Sequence, residues 1–236
     1  ADLFKLIIDL YVIIENDEGD KILLSWGEIY YPNNRHNIII ATRVARIVPS
    51  KTKDLWPLPE NTKIVVAQDL LTERNISNPV KITVISDDIE LENKKGLKPL
   101  YSSEISIFKE KENVKTMKDI PEYHKRINYE TVFYGRGRGI HSTSPFSGYL
   151  LKEILKESFP ITHESISKGL FVITAPDGYR AAFSFSEVFN RNDQSEILVI
   201  YDENNKDGGA FRLFPACDFF SDRAIKAVDG IYFTNF

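Results

Sequence analysis

The feature that most constrains this chain is that it repeats itself. The segment YVIIENDEGDKILLSWGEIYYPNNRHNIIIA (Tyr11 to Ala41) lies over LFVITAPDGYRAAFSFSEVFNRNDQSEILVI (Leu170 to Ile200) without a gap, at a shift of 159 residues (184 − 25 for the aligned serines). A second block, KIVVAQDLLTERNISNPVKI (Lys63 to Ile82), lies over RLFPACDFFSDRAIKAVDGI (Arg212 to Ile231) at a shift of 149 (218 − 69). The first copy therefore carries ten extra residues (159 − 149) around PSKTKDLWPLP. Matching order, matching turn chemistry and a single length difference imply two homologous units. We place them at residues 1–86 and 113–236, with a polar, charge-rich linker over 87–112.

Each unit reads in the same way. The apolar runs Ile7–Ile14 and Leu170–Thr174 are too continuous for a wetted face and predict buried strands. NDEGD and APDGY supply turns in which Gly19 and Gly178 accept positive φ. Ser25-x-x-Glu28 and Ser184-x-x-Glu187 are capping boxes that open short helices ending near Tyr30 and Phe189. Strands are expected at Ile38–Ala41, Lys63–Ala67, Ile197–Tyr201 and Phe211–Phe214, with a weaker amphipathic one at Ile105–Phe108. The second unit adds a preamble: a strand over Glu130–Tyr134, a glycine-rich loop, and a helix over Tyr149–Ser158 with the stripe Leu150, Leu151, Ile154, Leu155. The first unit's counterpart of this preamble would lie upstream of Ala1. The expected fold class is α+β, with short strands mixed with short helices.

Composition limits the chemistry. Lys+Arg 30 against Asp+Glu 34 gives no long-range attraction to nucleic acid or to an anionic membrane, so any anion site must be local. The single cysteine, Cys217, excludes an internal disulfide framework and any multi-cysteine metal site. The opening apolar run is broken by Lys5 and Asp9 and is too short to span a bilayer, so no transmembrane segment is expected. Because the chain starts at Ala1, a removed leader would place it outside the cytoplasm, which we take as the expected location over the cytoplasm.

The loop YGRGRGIHSTSPFSG (Tyr134 to Gly148) is the candidate site. Closely spaced glycines let backbone N–H groups converge on an oxyanion. Arg136 and Arg138 offer bidentate forks, and His141, Ser142 and Ser144 offer further donors for a small anionic ligand. Its place between a strand and a helix start would favour this reading. The plainer alternative is a connection whose arginines are solvated and whose glycines relieve turn strain. The spacing is neither that of a Walker loop nor that of a dinucleotide fingerprint, and the tract is too short for an arginine–glycine RNA-binding segment. The four histidines (His36, His124, His141, His163) show no metal-ligand spacing, and no G-x-S-x-G elbow marks a hydrolase. Leu55–Pro59 and EIYYPNN are aromatic stretches suited to core, lid or interface. Asp69 with Arg74 and Asp218 with Arg223 recur in both units, as expected of a structural ion pair or cap rather than a site that one unit alone would need.

The second unit resembles the molybdopterin-binding domain of the sulfite oxidase type, in its small bacterial stand-alone form. The residues that carry the likeness are Gly148, Leu151, Ile154 and Leu155; Asp177, Gly178, Tyr179, Arg180, Phe183, Ser184 and Glu187; and Gly209, Arg212, Leu213 and Pro215. The likeness covers roughly residues 130–233 and reaches 11–85 more faintly through the repeat. It implies a mixed sheet fold and a molybdopterin cofactor, bound through the Arg136–Arg138 loop. In active members a cysteine thiolate on a loop before the hairpin ligates molybdenum, and this chain has no cysteine between Asp87 and Arg180. Cys217 lies after the hairpin in FPACDFF, where an apolar neighbourhood raises thiol pKa, and is expected to be a packing residue. The function this implies is a non-catalytic ligand-binding or structural module; the alternative is an oxidoreductase subunit carrying a molybdenum or tungsten pterin. A small-anion receptor outside the cytoplasm is a third reading.

Overall fold

The computed structural model describes residues 8–32, 37–45, 55–57, 61–86, 89, 96–135, 139–143, 145–206 and 208–236. In the first half β1 (Leu10–Asn16) turns back into β2 (Lys21–Ser25), which feeds helix α1 (Trp26–Tyr30). Strands β3 (Ile38–Ala41), β4 (Arg43–Ala45), β5 (Leu55–Pro57), β6 (Lys63–Val66) and β7 (Pro79–Ser86) follow. The middle of the chain forms β8 (Ile105–Lys109), β9 (Glu112–Met117), β10 (Arg126–Tyr129), β11 (Phe133–Gly135), β12 (Gly139–Ser142), β13 (Phe146–Leu150), α2 (Leu151–Leu155) and α3 (His163–Lys168). The last part holds β14 (Gly169–Thr174), β15 (Arg180–Ser184), α4 (Phe185–Phe189), β16 (Ile197–Tyr201), β17 (Phe211–Pro215), a 3-10 turn at Ser221–Arg223, and β18 (Gly230–Asn235).

The α+β expectation is corrected by this layout. Strands make up 46% of the described residues and helices 12%, so the fold is sheet-rich. The reason is length. The apolar stripe of Leu151, Ile154 and Leu155 is helical, but Tyr149 and Leu150 are drawn into β13, which leaves α2 only five residues. α1 and α4 are equally short; such helices cannot stand alone in water and exist here on their caps and packing. The helix α3, closed by a Thr162–Ser165 capping box, had no counterpart in the sequence reading.

The two halves share one element order. The antiparallel sheet β2-β1-β7 corresponds to β15-β14-β18, and the pair β3-β6 corresponds to β16-β17. Gly19 and Gly178 occupy equivalent hairpin turns with φ of +90° and +82°, a conformation that costs glycine little. Both capping boxes are formed, with the serine oxygens accepting from the N–H groups of Glu28 and Glu187. The second half is then extended. β8, inside the stretch read as linker, pairs parallel to β18 and carries β9 beyond it. β13 pairs with β16 and carries β10. Phe159, four residues beyond α2, and Ile166 in α3 close the largest core over Phe171, Phe185 and Phe233.

Among the described residues the first half has no such cover, and its strand edges are bare. Ile82 on β7 is 60% exposed whereas its counterpart Ile231 on β18 is 1% exposed. Ile40 on β3 is 59% exposed and its counterpart Val199 is 2% exposed. The same residue types at the same fold positions are thus core in one half and surface in the other. We expect Ile82→Lys and Ile40→Lys to change stability by no more than about 0.5 kcal/mol, as for other surface substitutions. Ile231→Lys and Val199→Lys, which bury an unpaired charge, should cost about 3–5 kcal/mol in urea denaturation.

Candidate functional site

The densest concentration of polar chemistry lies where the halves meet, and both copies of the repeat build it. Arg74 and Arg223 are completely buried. Each follows a buried aspartate by five residues, and that spacing places a bidentate pair within one turn: Arg74 donates to Asp69 at 2.7 and 2.6 Å, Arg223 to Asp218 at 2.8 and 2.6 Å. Each guanidinium then reaches the capping-box glutamate of its own half. Arg74 donates to Glu28 at 2.8 and 3.0 Å, and Arg223 to Glu187 at 3.2 and 2.8 Å. Each also donates to a main-chain carbonyl on the strand before the cap, Leu23 or Ala182, at 3.1 Å.

The remaining bonds cross between halves. Arg74 donates to Ser184 Oγ at 3.1 Å and Arg223 to Ser25 Oγ at 3.2 Å. Around them the main chain repeats the exchange. The Leu70 N–H donates to the Asn190 carbonyl and the Phe219 N–H to the Tyr31 carbonyl, both at 2.7 Å. This reciprocity, in which position i of one half meets position j of the other and the reverse, is that of a two-fold interface inside one chain. Gly27 is obligatory here, since a Cβ would stand 2.2 Å from the Arg223 guanidinium carbon. Arg223 also lies over the Phe183 ring, 4.4 Å from its centroid.

The electrostatics break the symmetry. Two arginines face four carboxylates, which leaves excess negative charge in a dry site. Burial, reinforced by the facing Glu187, raises the Glu28 carboxyl above its usual range even though Arg74 opposes the shift. Burial acts on Glu187 too, but Arg223 and a hydrogen bond from the Ser25 hydroxyl outweigh it and hold its pKa low. Glu28 receives instead the neutral Gln68 amide at 3.1 Å. Gln68 and Cys217 are counterparts in the repeat.

Cys217 is 2% exposed in the largest core. Its thiol donates to Asp218 at 3.6 Å, and burial together with the Asp218 charge pushes its pKa far up. A molybdenum ligand must be an accessible thiolate, so this residue does not fit a sulfur-ligated metal. The other candidates are dispersed. Arg136, Arg138 and Ser144 lie outside the described residues, as do His36, Leu58 and Pro59. His141 and Ser142 contribute backbone to β12, which pairs antiparallel with β11. The described residues on either side of the glycine–arginine run belong to β11 and β12, and the chain continues into β13 before α2 begins. Tyr134 at the hairpin's base packs on Phe219 and Phe220, with ring centroids 5.2 and 5.7 Å away. His163 pairs with Glu73 at 2.6 Å on the surface, and the His124 ring lies tilted against Tyr123, 4.4 Å between centroids. Tyr30 stacks on Trp26 while Tyr31 is buried. Among the described residues no three metal-binding side chains converge, and no helix is long and apolar enough to cross a membrane.

Comparisons with protein-family models, with curated proteins and with solved structures each return no match.

The recurring Asp–Arg and Ser–Glu spacings signal the cluster in the sequence, but the exchange between Ser25 and Ser184 has no signature there. Arg74→Met and Arg223→Met should each cost about 3–5 kcal/mol, because either change strands buried carboxylates. The double variant should fall short of additivity, since the two residues belong to one hydrogen-bonded network, joined through Ser184 and Glu187. The glutamates should also titrate oppositely. The raised Glu28 stabilises the fold fully below its unfolded pKa of about 4.5 and progressively less as pH rises through its folded value. The lowered Glu187 stabilises it above 4.5 and loses that contribution as pH falls through its folded value. Urea titrations at several pH values should show Glu28→Gln costing more at pH 4.5 than at pH 7.5, and Glu187→Gln costing more at pH 7.5 than at pH 3.

Proposed function

We propose that this chain is a non-catalytic binding or structural module, similar to the molybdopterin-binding domains of the sulfite oxidase type but without their metal chemistry. The observation that carries the reading is the state of Cys217: the chain's one sulfur nucleophile is enclosed in the core, bonded to Asp218 and held as a thiol. The polar residues that the repeat shares, from Ser25 and Glu28 to Arg223, supply one another's hydrogen bonds and present nothing to a substrate. In the reading from the sequence, Arg136, Arg138, His141, Ser142 and Ser144 would receive a small anion at the hairpin between β11 and β12.

Protein expressed with molybdate and analysed by inductively coupled plasma mass spectrometry should carry molybdenum well below one atom per chain. Cys217 should react with an aromatic disulfide only on unfolding in urea. Stoichiometric molybdenum that is lost in Cys217→Ser would overturn the proposal. For the loop, phosphate, sulfate and pterins should raise the melting temperature of the wild type but not of Arg136→Ala/Arg138→Ala.

A further inference from the structure

The sheet β2-β1-β7 has two faces, and the mechanism of assembly uses only one and a half of them. Val12, Ile14, Ile22 and Leu24 pack on Ile64, Val66 and Ile76. On the opposite face Tyr11 and Leu23 pack against Leu170, Val172 and Ala182 of the second half. Beside that seam lies a groove of about 350 Å³.

Strand register dictates what lines it. Glu15 pairs with Lys21 on one side and Lys81 on the other, so these three side chains form one row across the sheet. The next row inward is Leu23, Ile13 and Thr83. Lys168, at the end of α3, and the Phe236 ring, 4.9 Å from Tyr11, close the groove from the second half. The result is an apolar floor with three lysines and one glutamate at its rim. Glu15 engages Lys21 at 3.4 Å, and among the described residues Lys81 and Lys168 have no ion pair.

The lysine rim is not a demand of the fold. At the equivalent positions in the second half, Glu15 is replaced by Thr174, Lys21 by Arg180 and Lys81 by Gly230. Arg180 is moreover committed to Asp9 at 2.7 Å. A local excess of cations beside apolar surface, in a chain of net charge −4, is complementary to a ligand with an anionic head and an apolar body. Lysines suit such a head, as rotatable point charges that do not impose a planar fork.

We propose that this groove binds an amphipathic anion, with its acyl or aryl body along Ile13, Leu23 and Phe236 and its carboxylate among Lys21, Lys81 and Lys168. At about 30 Å³ for each water-sized group, the groove holds roughly a dozen non-hydrogen atoms, the size of decanoate. The site is separate from the β11–β12 hairpin and does not depend on the reading of the fold offered above.

Calorimetric titration of the whole chain tests it. Decanoate should bind one to one, whereas decan-1-ol, with the same body and no charge, should bind at least about tenfold more weakly, as one lost ionic contact requires. Lys81→Glu/Lys168→Glu should weaken decanoate by at least about tenfold, with an unchanged melting temperature showing that the fold is intact. Ile82→Ser/Val84→Ser, at the exposed β7 edge of the opposite face, should leave the affinity unaltered. The proposal is overturned if decanoate does not bind at millimolar concentration, if decan-1-ol binds equally well, if charge reversal has no effect, or if only the opposite-face variant abolishes binding.

Discussion

The structure depends on two buried arginines that each serve both halves of the chain. A guanidinium removed from water has to regain its five donor interactions, and Arg74 and Arg223 do so on an aspartate, a capping glutamate, a strand carbonyl and a serine of the other half. The first three anchor each arginine inside its own copy of the repeat. The fourth makes the copies mutually dependent, since moving the halves apart would strand charge in both. Such an arrangement adds little net stability over an apolar core, but it specifies one register of assembly, because sliding the halves by a residue would break the bonds that cross between them.

The two halves share an element order but differ in cover. The second half carries β8, β13, α2 and α3 over surfaces whose counterparts in the first half are bare among the described residues. Apolar residues persist at both sets of positions, with Ile82 and Ile40 matching Ile231 and Val199. The divergence extends to charge. Gln68 stands where the later copy has Cys217, and the lysine rim of the first sheet has no equivalent in the second. The arginine hydrogen bonds at the centre are close to symmetric while the cover at the periphery is not, and the ligand sites we propose lie at the periphery.

Sequence and tertiary structure can be separated residue by residue. The repeat, the two glycine turns, the two capping boxes and the buried character of Ile173 or Leu198 follow from local rules about periodicity, positive φ and orphan helix N–H groups. Those rules act over three to five residues and are written in any such segment. The pairing of Asp69 with Arg74 is of the same kind. The parallel docking of Ile105–Lys109 on β18 is not, because its hydrogen bonds join segments more than a hundred residues apart.

What the amino-acid sequence by itself determined is therefore the unit: its order of strands, its caps and its charged pair, all set by short-range sterics and hydrogen bonding. Long-range packing set the stop of three helices after about one and a half turns, the pairing of β11 with β12, and the exchange of partners between Ser25 and Ser184. Each of these turns on which surfaces meet, and close packing and the desolvation of charge choose among meetings that local propensity leaves equivalent.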